Sequence, residues 1–180
     1  MGATLWVFGY GSLMWNPGFP HSERQVAVLD GYQRSFCMWS IHYRGTVQDP
    51  GLVLALDAAD GASCHGVAFA VTQEHEAETL AYLRERELIS SAYREMALDV
   101  TLLDGRRVTA VGYVVNRDHA QYSDGLDAVD QAAIIARSAG SAGRNDAYLF
   151  NTVAHLADLG ICDDHLERLA GLVRTAAPQA

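Results

Sequence analysis

Residues 7–17 read VFGYGSLMWNP, and here an apolar strand runs directly into a loop in which two glycines bracket a tyrosine. We call residues 9–13 the glycine loop. Glycines permit φ > 0 and let a ligand approach backbone amides without a Cβ in the way. The hydroxyls of Tyr10 and Ser12 lie beside those amides, so the loop predicts a site for a carboxylate or another small anion. An ordinary turn at the end of a strand uses the same residue types, and this interpretation stays open.

The spacing of these glycines does not match two common phosphate-binding motifs. Gly9 and Gly11 are followed by Met14 where a dinucleotide-binding fingerprint has a third glycine, and no helical pattern follows the loop. A Walker loop is also absent from this stretch. The stretch is therefore neither a dinucleotide-binding fingerprint nor a Walker loop.

Length and composition indicate one domain over residues 1–180. The chain is 49% apolar and 19% charged, as globular proteins are. Its apolar runs are too short for a membrane span, and the first residues do not read as a signal peptide, so we expect a cytoplasmic protein. A net charge of −9 disfavours nucleic acid and anionic membranes as partners. A small acidic substrate stays compatible with it, because local amides or an arginine can reverse the field in a pocket.

The cysteines and histidines predict neither a disulfide framework nor a metal site. Cys37, Cys64 and Cys162 are odd in number and far apart, without a CxxC pair, so we expect reduced, buried thiols. No pair among the seven histidines has the spacing of an HExxH or similar motif. We expect no metal and no other cofactor.

Apolar residues recur with a period near two over the first two thirds of the chain and near 3.6 over the last third. Strands are predicted at residues 4–8, 25–29, 32–38, 52–56, 66–71, 96–103 and 108–115, with hairpins around Asp30-Gly31 and Asp104-Gly105. Helices are predicted at residues 74–88, 126–139, 146–159 and 164–174, with Thr72, Asn145 and Asp163 as N-caps. This order lacks regular βαβ alternation. It predicts an α+β fold whose mixed or antiparallel sheet curls into a small barrel with helices on one side.

One carboxylate in the predicted helix 74–88 lies on the face that should be buried. Leu80 and Leu83 are spaced i and i+3, and Glu87 at i+7 shares their face. A carboxylate placed there must find a partner or take a raised pKa. A glutamate whose pKa approaches neutrality is a competent general base and acid.

The neighbours Arg84, Glu85 and Arg86 are predicted to face water. The alternative for Glu87 is a helix-end side chain that turns to solvent or pairs with Arg84 or Arg94. Periodicity alone leaves both interpretations open.

Several blocks of sequence resemble those of one known family and follow its order. They are residues 8–19, 31–37, 44–46 with 50–51, 66–69, 83–87 with 93–94, and 139–145 leading to Tyr148-Leu149. In these blocks the chain resembles the ChaC-type γ-glutamylcyclotransferases, which act on glutathione. The resemblance covers nearly the whole chain, and the first block is highly specific.

The resemblance implies a small β-barrel with flanking helices and a lyase that converts glutathione to 5-oxoproline and cysteinylglycine without a cofactor. The family's Tyr-Gly-Ser-Leu loop holds the γ-glutamyl part of the substrate, which here implies Tyr10, Gly11, Ser12 and Leu13. The family's catalytic glutamate follows an arginine at the end of a helix and maps to Glu87. Periodicity and resemblance therefore select the same acid–base residue.

Two further side chains are predicted to bind substrate. Arg34 and Arg44 can each pair bidentately with a carboxylate, and we select Arg44. Tyr148 lies in a matching block at the start of a predicted helix, where its hydroxyl can reach a ligand. An aromatic at the core edge with its hydroxyl in water is the alternative.

Other functions stay open at this point. The substrate can be another γ-glutamyl amino acid or amine. Cys37 or Cys64 with His42 or His65 can form a thiol-dependent hydrolase or transferase, or the loop can belong to a non-catalytic module that binds an acidic metabolite. We expect a monomer, because no predicted helix has a second apolar stripe.

Overall fold

The computed structural model describes residues 4–176, which form two compact units. Unit 1 contains residues 4–34 and 56–120, and unit 2 contains residues 35–55 and 121–176. Each unit is therefore built from two separate stretches of chain.

Seven strands and four α-helices occur in the described residues. The strands are β1 Leu5–Gly9, β2 Glu23–Ser40, β3 Gly51–Val71, β4 Tyr93–Leu102, β5 Arg107–Val115, β6 Ala139–Gly140 and β7 Gly143–Arg144. The helices are α1 Glu76–Glu87, α2 Ala128–Arg137, α3 Asn145–Asp158 and α4 Asp164–Ala176. Two single-turn 3-10 helices, Ser12–Met14 and Gln73–His75, precede β2 and α1.

The five long strands form a closed barrel in the order β1-β3-β2-β4-β5. Strand β1 runs antiparallel to β3 and parallel to β5, with Trp6 opposite Ala70 on one side and Ala110 on the other. Alternate strand residues fill the interior, because successive side chains point to opposite faces of a sheet. This core contains Trp6, Phe8, Ala27, Leu29, Leu56, Cys64, Ala68, Ala70, Leu98, Val100, Leu102, Ala110 and Val114. The predicted α+β fold with a small mixed barrel is confirmed.

The hairpin at Asp104-Gly105 is confirmed, but the one at Asp30-Gly31 was wrong. Strands β4 and β5 pair antiparallel around Gly105, which has φ of 91°. In contrast, β2 continues through Gly31, and β3 joins the two strands that were predicted at 52–56 and 66–71. Gly31 and Gly61 have φ of 81° and 77°. A glycine with positive φ is a common feature of a β-bulge, which lets a strand continue past a local irregularity.

Helix α1 begins later than predicted, because residues 73–75 form a 3-10 turn. Thr72 precedes that turn and makes no side-chain capping bond. Acidic side chains lie in the first turn of α1 and basic ones in its last turn, as the helix dipole favours.

Unit 2 contains α2, α3 and α4, which pack against one another. Asp163 accepts a hydrogen bond from the amide of Leu166 at 3.0 Å, so the predicted cap of α4 is confirmed. Asn145 is not the cap of α3, since the helix includes it. Its buried amide instead accepts from Leu52 N at 2.8 Å and donates to Leu52 O at 2.7 Å. Within the described residues, no helix has the length and apolar character needed to cross a membrane.

Candidate active site

The glycine loop continues from β1 into a single 3-10 turn in unit 1. The carbonyls of Gly11 and Ser12 accept from Met14 N at 2.9 Å and Asn16 N at 2.8 Å. No side chain caps the start of this turn, and the first amides of a helical turn have no partner within it. The start of this turn therefore lies beside the hydroxyl of Ser12, and the assignment of the loop to an anion stays a prediction.

The two loop glycines do not take the positive φ that the sequence predicted, and the close approach of a ligand to their amides stays a prediction. Gly11 has φ of −133°, and Gly9 is not among the glycines with positive φ, so left-handed backbone is not what this loop requires. A Cβ on Gly9 would lie 2.9 Å from Cβ of Leu13. Gly9 is needed because the chain folds back closely on itself.

Arg34 supports the loop from inside unit 1. Its side chain is buried, and Nε donates to the carbonyl of Tyr10 at 2.6 Å. Nη2 donates to the carbonyl of His65 and lies 3.9 Å from Sδ of Met14. This arginine therefore joins the loop to strand β3, a role that the sequence did not indicate.

Glu87 is the last residue of α1 and is half-buried, with 19% of its side chain exposed. Leu83, one turn earlier, is fully buried, and Glu85 is exposed, so the predicted helix phase is correct. Burial raises the pKa of the Glu87 carboxyl group, and the nearby charge of Arg86 opposes part of that rise. The ion pair that Glu87 makes is with Arg86, whose Nε is 3.4 Å from Oε1.

Arg86 does not face water as predicted. Its guanidinium donates to Oγ of Ser12 at 2.8 Å, to the carbonyl of Asn16 at 2.9 Å and to the hydroxyl of Tyr82 at 3.0 Å. The spacing held a signal that was missed, because Arg86 lies three residues after the buried Leu83 and shares its face. Arg86 therefore brings the glycine loop and the end of α1 together in unit 1.

A second carboxylate in the same unit has the opposite environment. Arg84 donates two hydrogen bonds to Glu95, at 2.9 and 2.8 Å, and these hold the pKa of Glu95 below its usual range. The buried Tyr113 donates to Glu95 at 3.1 Å. Burial, with the charges of Glu95 and Glu87, raises the pKa of Tyr113.

When the environments of two carboxyl groups push their pKa values apart, the group with the raised pKa is the better candidate for proton transfer near neutral pH. Among the carboxyl groups of residues 4–176 whose pKa clearly departs from the ordinary value, Glu87 alone is raised. The geometry therefore gives Glu95 a structural role and leaves Glu87 as the candidate acid–base group.

Arg44 and Tyr148 lie together in unit 2. The guanidinium carbon of Arg44 is 5.1 Å from the centre of the Tyr148 ring, and Nη1 donates to the carbonyls of Ala142 and Arg144 at 2.9 and 3.2 Å. The Tyr148 ring also meets Phe36 edge to face at 5.6 Å. These contacts order both side chains, and their assignment to substrate stays a prediction.

The cysteines are free, and two of the three are buried as predicted. Cys64 is only 2% exposed and belongs to the barrel core, where its sulfur lies 3.9 Å from the carbonyl of His65. Cys37 is 5% exposed. Cys162 is exposed, so the prediction of burial was wrong there. Within residues 4–176, no cluster of three or more His, Cys, Asp or Glu side chains is placed to hold a metal ion.

The fold and this site define a small α+β barrel protein in which a carboxyl group of raised pKa is tied to a glycine loop. The model of the family described as ChaC-like protein matches residues 5–176. The chain is 37% identical to the glutathione-specific gamma-glutamylcyclotransferase of Escherichia coli, over 92% of this chain and 71% of that protein. It is 35% identical to gamma-glutamylcyclotransferase 2-3 of Arabidopsis thaliana, over 95% and 89%. The chain therefore belongs to the ChaC-like family.

Solved structures agree with this fold. The crystal structure of a yeast gamma-glutamyl cyclotransferase specific to glutathione superposes with a TM-score of 0.86. The match has 23% sequence identity and covers 98% of both chains. At this identity the likeness supports the fold alone.

Proposed function

We propose that this chain is a γ-glutamylcyclotransferase, a lyase that converts glutathione to 5-oxoproline and cysteinylglycine. Its curated relatives with that name supply the substrate class. The observation that carries the proposal is Glu87, whose burial raises its pKa and whose helix is bonded to the glycine loop through Arg86 and Ser12.

The substrate carries its own nucleophile, so the protein has two tasks. The α-amine of the γ-glutamyl group attacks the γ-carbonyl carbon, a C–N bond forms in a five-membered lactam, and the bond to the cysteine nitrogen breaks. The α-ammonium group loses two protons on its way to the lactam N–H. Glu87 takes up each proton in turn and passes it to the departing nitrogen, which leaves as an ammonium group, so no water is consumed. Orienting an intramolecular reaction removes much of its entropic barrier.

The glycine loop supplies that orientation. The amides of residues 10–13 and the hydroxyl of Ser12 bind the α-carboxylate of the substrate, because several converging donors suit an anion. Tyr10 and Leu13 shape the same loop, with Tyr10 packed against the barrel core. Arg44 and Tyr148 stay in the proposal as substrate-binding residues on the strength of the resemblance. They are tested by the KM of Arg44→Gln and Tyr148→Phe.

The deciding experiment incubates the purified chain with glutathione and measures 5-oxoproline and cysteinylglycine. We expect equal amounts of both products, and their formation should survive alkylation of the exposed Cys162 and addition of a chelator. Loss of activity on alkylation, traced to Cys37 or Cys64 by Cys→Ala variants, would favour a thiol enzyme. The burial of both thiols argues against that alternative. Binding of glutathione without turnover would indicate a binding module.

A panel of substrates tests which leaving group the enzyme prefers on the γ-glutamyl carbonyl. Glutathione, oxidised glutathione, γ-glutamyl amino acids and γ-glutamylamines are compared by kcat/KM at one pH. We expect glutathione to be the best substrate, and a higher kcat/KM with a γ-glutamyl amino acid or amine would replace it. The further proposals of a cytoplasmic monomer without nucleic-acid or membrane partners rest on composition and charge.

A further inference from the structure

The guanidinium of Arg86 joins the end of α1 to both sides of the 3-10 turn in which the glycine loop ends. It donates to Oγ of Ser12 at the start of the turn and to the carbonyl of Asn16 just beyond it. The Arg86 side chain is only 22% exposed, so these bonds are partly shielded from water. Charge-assisted bonds from a fixed, planar group hold geometry better than bonds from a flexible ammonium group.

This bond also decides which way the Ser12 hydroxyl donates its proton. A serine hydroxyl has one proton to donate and two lone pairs that accept, whereas a guanidinium only donates. Oγ of Ser12 is therefore the acceptor in its bond with Arg86, and its proton must point to another acceptor. A carboxylate provides such an acceptor.

Arg86 contacts Glu87 as well. Its Nε lies 3.4 Å from Oε1 of Glu87, and an opposite charge at this distance favours the ionised carboxylate. The charge of Arg86 thus opposes the rise in the Glu87 pKa that burial causes. Arg86 consequently contacts the backbone of the turn, the hydroxyl of Ser12 and the carboxylate of Glu87.

We propose that Arg86 is a positioning residue, which holds the glycine loop against α1 and turns the Ser12 hydroxyl toward the substrate carboxylate. This inference rests on the proposed function, in which the loop binds that carboxylate. Arg86 acts through Ser12 and Glu87 and does not itself contact the substrate.

Steady-state kinetics across pH test the proposal with Arg86→Gln and Arg86→Lys. A displaced loop holds the substrate in a less reactive orientation. We therefore expect Arg86→Gln to lower kcat/KM on the order of 10²-fold. In the plot of kcat/KM against pH, the acidic limb reports the ionisation of Glu87. For Arg86→Gln this limb should move to higher pH, because the positive charge that opposes the rise in the Glu87 pKa is gone. Arg86→Lys should keep the acidic limb near its wild-type pH, because the positive charge stays. Its kcat/KM should still fall, because lysine lacks the planar guanidinium that bonds to several acceptors at once.

Arg84→Gln is the matched control, because it makes the same substitution two residues earlier in the helix. Arg84 pairs with Glu95, so we expect kcat/KM to stay within about twofold of wild type. The acidic limb of the pH profile should stay at its wild-type pH. A double-mutant cycle with Ser12→Ala measures the coupling directly. Ser12→Ala should cost much less in the Arg86→Gln background than in wild type.

Two measurements do not require turnover and keep the inference separable from the proposed function. The titration of the Glu87 carboxyl is followed by carbon NMR, with its resonance assigned by its loss in Glu87→Gln. The Arg86→Gln variant should titrate at higher pH. Hydrogen–deuterium exchange of peptides that cover residues 10–16 should be faster in both Arg86 variants, and unchanged in Arg84→Gln.

The outcomes are distinct. If wild type makes no 5-oxoproline, the proposed function fails, and exchange and titration still decide whether Arg86 holds the loop. If the wild type turns over but Arg86→Gln keeps its kcat/KM, its acidic limb and its loop protection, the inference about Arg86 is wrong. Should Arg86→Gln fail to fold, the Arg86→Lys exchange data alone decide, and unchanged loop protection there would overturn the inference.

Discussion

Nε of Arg34 lies 2.6 Å from the carbonyl oxygen of Tyr10, although 24 positions separate them in the chain. The arginine is 4% exposed and also donates to the carbonyl of His65. The buried guanidinium supports the loop through these bonds, since a buried donor left without its acceptors costs free energy. The glycine loop therefore depends on the barrel wall for its shape.

Arg34→Met should lower the free energy of unfolding by about 1–3 kcal/mol, because two partly buried backbone carbonyls lose their donor. Urea denaturation at neutral pH measures the change. Arg107→Met, at an exposed position on β5, is the control and should shift stability by less than about 0.5 kcal/mol. Equal stability of Arg34→Met and wild type would contradict the role given to Arg34.

Glu87→Gln should lower kcat for 5-oxoproline release on the order of 10²–10⁴-fold, because the amide cannot accept the proton of the α-ammonium group. The control is Glu85→Gln, the same substitution at an exposed position two residues earlier. It should keep activity within about twofold, as expected for a surface change. Near-normal turnover in Glu87→Gln would remove the carboxylate from the mechanism.

The same variant should change stability in a pH-dependent way. Burial raises the pKa of Glu87 in the folded state, so the folded protein binds a proton more tightly than the unfolded chain does. The stability from this group is complete below the unfolded pKa and is lost as pH rises through the folded pKa. Glu87→Gln should therefore be more stable than wild type at neutral pH, with a difference that shrinks on acidification. Thermal melts of both proteins from pH 4 to pH 8 test the sign.

Gly66 and Gly171 give opposite predictions for substitution by alanine. A Cβ on Gly66 would lie 2.3 Å from the carbonyl oxygen of Gly9 and 2.7 Å from the Phe8 ring. Gly66→Ala should therefore destabilise the barrel by about 1–3 kcal/mol and disturb the glycine loop. Gly171 lies within α4 with nothing near its Cβ position, so Gly171→Ala should stabilise by about 0.5–1 kcal/mol. Denaturation midpoints of the two variants check both signs.

Local signals in the sequence predicted the helices, the last hairpin and the face of α1 that carries Glu87. Strand β2 was predicted as two strands because Asp30-Gly31 is typical of a turn, whereas the strand continues through it. Strand β3 was also predicted as two strands, because residues 57–65 lack the apolar pattern of a strand. Tertiary pairing decides such positions, and a single sequence does not contain it.

The site was predicted in part for the same reason. The glycine loop and Glu87 each carry their signal in neighbouring residues. Arg34 and Arg86 donate to acceptors far away in the chain, at Tyr10 and Ser12. The local sequence around an arginine does not indicate which distant acceptor it will bond. The spacing of three residues between Leu83 and Arg86 does place Arg86 on the buried face of α1, and this local pattern predicts that it is shielded from water.

The parallel pairing of Trp6 with Ala110 bears on how this barrel is made in the cell. Strand β1 leaves the ribosome first, and its neighbour β5 is among the last strands to follow. Until residues 107–115 have emerged, one side of β1 remains an open sheet edge, which can recruit other chains. A nascent chain that stalls before β5 therefore exposes a sheet edge that the finished barrel covers.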